Sequence, residues 1–228
     1  MDKIIAWMLL DGGDPEAGLE IFDQDEEFRF KRVSGGRGNL IAHMEFYRSC
    51  CALEKGEIDS AAAHAGVVKS SLPDVLPDWQ DQFTYYSGLL DAAVWLARGN
   101  ADSAVVLCNR AVPSGLIRAN PEFLSWYMIG FLYRPNCDVL GRAYLKKGEL
   151  GRAIAEYERL TRYDPTGPDR RWIRPENHYA LARLYEEKGM TVEAVAEYEE
   201  FLRIWKNADR DLPEKRDAAR RLAALRPS

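Results

Sequence analysis

The chain has 228 residues, 46% of them apolar and 29% charged, with a formal net charge of -5 at pH 7. That mix argues against disorder and against a membrane span, and the length accommodates one or two domains of ~100–200 residues. A sequence pI of about 5.4 argues against a broad nucleic-acid footprint, which would show as a basic excess.

In chain order, Met1-Asp2-Lys3 leads into an apolar run, Ile4 to Leu10. It stops at Asp11-Gly12-Gly13-Asp14 with no A-x-A-type cleavage site, so an amphipathic or buried helix is expected rather than a leader. Asp23 to Asn39 reads as a link: an acidic cluster gives way to Arg29, Lys31 and Arg32 and then to Ser34-Gly35-Gly36-Arg37-Gly38. No G-K-[ST] follows, so the glycines do not form a phosphate-binding loop. Beyond it lie Leu53-Glu54-Lys55-Gly56-Glu57-Ile58, Leu96-Ala97-Arg98-Gly99-Asn100-Ala101, Leu145-Lys146-Lys147-Gly148-Glu149-Leu150 and Glu186-Glu187-Lys188-Gly189-Met190-Thr191. Each phrase predicts one helix ending at a glycine in the left-handed region and another starting at once. With Gly13 the glycines recur at intervals of 43, 43, 49 and 41 residues, which is the mark of a repeat.

Two segments depart from this pattern. Residues 120–133 hold Phe123, Trp126, Tyr127, Ile129, Phe131 and Tyr133, apolar on nearly every side of a helix. Such a helix is expected either to be inserted between the third and fourth hairpins or, in part, to form a docking or dimerisation face through Trp126 and Phe131. Pro213, followed by Glu214-Lys215-Arg216-Asp217, predicts a last helix over 213–226 that caps the array.

The C-terminal half resembles the tetratricopeptide repeat family. Its pattern W-x2-L-G-x2-Y, A-x3-F, P is matched by Cys137-x2-Leu140-Gly141-x2-Tyr144, Ala153-x3-Tyr157 and Pro165. The next unit gives His178-x2-Leu181-Ala182-x2-Tyr185 and Ala194-x3-Tyr198, with Lys206 in the proline slot. Toward the N-terminus the match thins to Ala92-x2-Trp95 with Ala104-x3-Cys108, and to Ser49-x2-Ala52 with Ala61-x3-Ala65. The last part of the chain also resembles the ends of repeat tracts in bacterial multidomain regulators. The resemblance implies an all-α fold: a right-handed superhelical solenoid of about five hairpins, near 1–30, 38–72, 77–112, 135–165 and 175–207, in a single domain over 1–228. Met1 falls inside the first helix of a unit, so a fragment or a lost half-repeat is expected.

Chemistry is sparse. No H-E-x-x-H, G-x-S-x-G or kinase signature occurs, and the only histidines are His43, His64 and His178. His43 and Cys50 share a helix face but stand ~10 Å apart along the axis, too far for proton transfer. Glu186-Glu187 and Glu199-Glu200 sit among basic residues at ion-pair spacing. Cys50, Cys51, Cys108 and Cys137 form no C-x-x-C pair and suit a reducing compartment, so a cytoplasmic location is expected. The chain is accordingly expected to have no catalytic residues, metal or cofactor.

The family's inward-facing positions fall on His43, Phe46, Tyr47 and Cys50, then on Tyr86, Leu89 and Ala93. In the next two units they fall on Asp138, Arg142 and Leu145, and on Glu176, Tyr179, Arg183 and Glu186. Of these, Phe46, Tyr47, Tyr86, Leu89, Asp138, Arg142, Tyr179 and Arg183 are the candidate partner-binding residues. Aromatic and arginine side chains are what interface hot spots favour. The resemblance implies a scaffold or adaptor for a protein or peptide, with neither nucleic acid nor membrane as partner and with a homodimer open. The alternative is the accessory part of an enzyme whose catalytic domain lies elsewhere. The carboxylate-clamping Lys/Asn/Lys/Arg set of chaperone-binding members is not reproduced.

Overall fold

The computed structural model describes residues 17, 19–20, 36–111, 137–162, 173–207 and 212–226. Among these are nine α-helices, one short 3-10 turn at Leu72–Asp74 and no strand. The helices are α1 (Gly36–Lys55), α2 (Ile58–Ser71), α3 (Pro77–Ala97), α4 (Ala101–Arg110), α5 (Val139–Lys146), α6 (Leu150–Thr161), α7 (Pro175–Glu187), α8 (Thr191–Ile204) and α9 (Pro213–Leu225). The fold is all-α, with successive helices within each unit packed on one another as in a helical repeat. The helix expected from Ile4 to Leu10, the link through residue 35 and the 120–133 helix with Trp126 and Phe131 lie outside the described residues.

The chain divides into two compact units. One contains α1 to α4; the other runs from Leu140 through α6, α7, α8 and α9.

All four repeat glycines in the described residues have positive φ: Gly56 76°, Gly99 89°, Gly148 73° and Gly189 77°. Each ends its helix in the same pair of hydrogen bonds. Gly189 N–H donates to the Glu186 carbonyl at 3.0 Å, and Met190 N–H to the Tyr185 carbonyl at 2.8 Å. The equivalent pair at Gly56 runs to Leu53 and Ala52. Two otherwise orphaned carbonyls are thereby satisfied, and the chain reverses within a few residues into the next helix.

In the first unit, Ala52, Ala61 and Val94 form a small buried cluster with Leu53, Ile58 and Ala62 packed against it. Ser49 Oγ donates to the Ala61 carbonyl at 2.9 Å, tying α1 to α2. Between α1 and α3 runs an aromatic seam. The Phe46 and Tyr86 rings lie 4.7 Å apart, and His43 stands 6.5 Å edge-on from Phe83.

The glycine-rich stretch read as a link up to Asn39 is helical from Gly36. Gly38 belongs there for a close approach: a Cβ would fall 2.1 Å from the Asp74 carbonyl oxygen. Asn39 Oδ1 then accepts the Leu76 N–H at 2.9 Å, fixing the start of α1 against the turn that leads into α3.

In the second unit the small-against-aromatic pairing holds. A Cβ on Gly141 of α5 would meet the Tyr157 ring of α6 at 2.7 Å. Ala182, Ala194, Tyr198 and Phe201 of the α7/α8 hairpin are fully buried. Removing side chains so that backbones approach, and filling the remaining gap with a ring, gives close packing without voids.

Candidate functional site

The first helix of each hairpin carries the expected contact residues, and the two units place them differently. In α1 and α3, Phe46, Tyr47, Tyr86 and Leu89 are all buried, Tyr47 to 1% exposure. The rings of Phe46, Tyr47 and Tyr86 pack on one another, and Tyr47 also on His43. A ring closed to solvent offers a partner no surface of its own.

In the second unit two of the expected contact residues reach solvent. Arg142 on α5 and Arg183 on α7 are exposed, whereas Tyr179 is half-buried, as is Asp138 just before α5. Arg142 and Arg183 occupy equivalent repeat positions, each five residues beyond the one in the family's tryptophan slot, Cys137 and His178. The Arg183 guanidinium lies 5.9 Å from the centre of the Tyr179 ring, within cation–π range.

Tyr179 is also the first member of a polar network that the sequence did not reveal. Its hydroxyl donates to Asp217 Oδ2 of α9 at 2.8 Å. Arg221 donates to the same carboxylate at 2.6 Å through Nε and reaches Glu186 Oε2 of α7 at 3.0 Å through Nη1. Tyr198 of α8 donates to that Glu186 oxygen at 2.8 Å. Burial alone would raise the Asp217 pKa; hydrogen bonds from Arg220, Arg221 and Tyr179 outweigh it and hold the carboxyl well below the usual range. Burial, followed by the Asp217 hydrogen bond, pushes the Tyr179 hydroxyl upward. Asp217 and Arg221 stand four residues apart on one helix, while Tyr179 and Glu186 are brought in by tertiary packing.

Two hairpins also share an inter-helix pair at the same separation. Glu45 of α1 meets His64 of α2 at 2.6 Å, and His178 of α7 meets Glu197 of α8 at 2.6 Å. These join the two helices of a hairpin across their polar edge.

As a catalytic base, His43 is poorly placed. It is 4% exposed, and burial pushes its pKa down to about 3, so at neutral pH it is an uncharged imidazole with little affinity for a proton. Cys50 is buried in the same helix. Among the described residues no group of three or more His, Cys, Asp or Glu side chains could hold a metal ion, and no helix is long and apolar enough to cross a membrane.

The family model for the tetratricopeptide repeat matches residues 135–166, which span α5 and α6. No curated protein and no solved structure matches the chain.

Proposed function

We propose that this chain, which carries a tetratricopeptide repeat at residues 135–166, is an adaptor that binds a protein partner through the inner helices of its second unit. The repeat itself suggests protein–protein interaction. The observation that carries the finer reading is the pair of exposed arginines, Arg142 and Arg183, at equivalent repeat positions, the second with its guanidinium over the ring of Tyr179.

An extended peptide with a carboxylate and apolar side chains has the complementary chemistry. Its acid would bond two planar forks, and a neighbouring apolar group would rest against Tyr179. Asp138 would favour a donor on the same peptide. Phe46, Tyr47, Tyr86 and Leu89 would then set the spacing of α1 and α3 rather than touch the ligand. The chain has no chemistry of its own in this reading, acts in the cytoplasm, and takes neither nucleic acid nor membrane as partner.

The test is affinity capture with mass spectrometry, comparing the intact chain with an Arg142→Glu/Arg183→Glu double variant of unchanged fold. A partner retained by the first and lost at least tenfold by the second supports the reading. Equal capture by both contradicts it.

A further inference from the structure

Helix α9 is an unusual cap in what attaches it. Its described residues bury only two side chains, Ala218 and Leu222, whereas α7 alone buries six. The remaining anchors are polar. Asp217 takes the Tyr179 hydroxyl, and Arg221 bridges Asp217 to Glu186. Arg226 pairs with Glu199, and Lys215 donates to the Lys206 carbonyl at 3.3 Å.

Tyr198 and Phe201, fully buried, belong to the hairpin on which this helix rests, and their rings continue through Tyr179 and Trp205. The face beneath α9 therefore combines an aromatic floor with a fixed carboxylate, Glu186, and a fixed hydroxyl donor, Tyr179. Each is satisfied by one complementary group on α9. The helix thus spells out the chemistry this face accepts: a carboxylate, a small residue next to it, a guanidinium four residues on and a leucine five residues on.

We infer that the α7/α8 face is a helix-binding surface, and that α9 is its resident, displaceable occupant. The partner is an amphipathic helix bearing the Asp-Ala-x-x-Arg-Leu arrangement that α9 presents. Charge complementarity favours such a helix: Glu186 and Glu199 call for cations, and Tyr179 calls for a carboxylate. Attachment through exposed and half-exposed ion pairs makes release inexpensive and salt-dependent. Local opening at a chain segment with few apolar contacts is the low-energy end of a protein's opening spectrum. Displacement of α9 would take Asp217 away and free the Tyr179 hydroxyl, whose ring also carries Arg183. The inference stands whether or not Arg142 and Arg183 take a peptide.

The experiment uses the full chain and a fluorescent peptide of residues 212–226, read by anisotropy. In the wild-type chain the resident helix competes with the peptide. In an Arg221→Glu chain the resident helix is repelled by Glu186, and the wild-type peptide binds at least tenfold more tightly than it does to the wild-type chain. A Glu186→Arg chain reverses the preference, taking an R221E peptide over the wild-type peptide. Equal binding of both peptides by every chain, or no binding by any, overturns the inference.

A second measurement holds even if the variants fail to fold. In the wild-type chain, raising salt from low to molar strips amide protection from 213–225 while 175–204 stays protected. Loss of both together, or of neither, overturns it.

Discussion

Helices α1 and α7 each open a hairpin, yet one is buried on nearly all sides and the other keeps a charged face. In α1 the buried positions run through Ala42, His43, Met44, Phe46, Tyr47 and Ser49 to Ala52, leaving only the narrow polar edge of Glu45 and Arg48, which is taken up by their own ion pair and by His64 of α2. In α7, Arg183 and Glu187 are exposed, and Glu186 and Tyr179 meet α9 through hydrogen bonds. The same helix-turn-helix plan is thus stabilised by aromatic burial in one unit and by a mixture of burial and ion pairing in the other. The difference teaches that repeat register locates a helix without saying whether its inner side is open.

The largest test of this contrast is truncation of the aromatic seam. Phe83→Ala removes a ring 1% exposed and is expected to cost about 3–5 kcal/mol in urea unfolding. Arg221→Ala, by comparison, removes a half-buried guanidinium and is expected to cost about 1 kcal/mol, with the loss shrinking at high salt. Equal costs would erase the distinction.

The units should also part company in acid. His43 has a folded pKa pushed below its ordinary 6.5, to about 3, so the unfolded chain binds its proton first as pH falls. Its contribution is complete above pH 6.5 and is lost on the way down to about 3, on the order of 1 kcal/mol per pH unit. Asp217 is also depressed, but from the carboxylate range, so what it contributes is complete above about pH 4 and lost only below it. His43→Gln is expected to flatten the stability slope between pH 6.5 and 5, as read by urea midpoints. An unchanged slope would show that His43 is not held neutral by burial.

Smaller effects probe the turns and the helix approach. Gly141→Ala sets a methyl 2.7 Å from the Tyr157 ring. Overpacking outweighs the gain in helix propensity, for a net loss of about 1 kcal/mol that Tyr157→Leu relieves in a double-mutant cycle. Gly189→Ala meets no atom within 4 Å but must keep φ near +77°, and it is expected to cost about 1 kcal/mol. Gly66→Ala, within α2 and equally uncrowded, has the opposite sign and should stabilise by about 0.5–1 kcal/mol. The pair of glycines separates backbone conformation from packing in thermal unfolding.

Much of the fold was legible because its determinants are local. Gly56, Gly99, Gly148 and Gly189 could be picked out because only a left-handed residue ends one helix and admits another so soon. The contact of Gly141 with Tyr157 is of the kind the resemblance to the repeat family implies, a missing side chain on one helix and a ring on the next. The closure of α1 and α3 was harder to read. Phe46, Tyr47, Tyr86 and Leu89 were assigned to an inner groove by register, but burial depends on what the rest of the chain sets against them. One signal was present: between Leu40 and Leu53 the only formally charged side chains are Glu45 and Arg48, too few for an open face. The α9 network stayed hidden because Asp217 and Arg221 find Tyr179 and Glu186 more than thirty residues away. The glycine-rich start of α1 was misread as a link because its close approach to Asp74 is invisible in sequence.

The most direct test of burial against ion pairing is native-state amide exchange at pH 7, with the opening energies of α1, α3 and α9 measured at two salt concentrations. Protection across α1 and α3 is predicted to stay constant while that of α9 falls with salt. A salt-dependent loss in α1 and α3 equal to that in α9 would contradict the account.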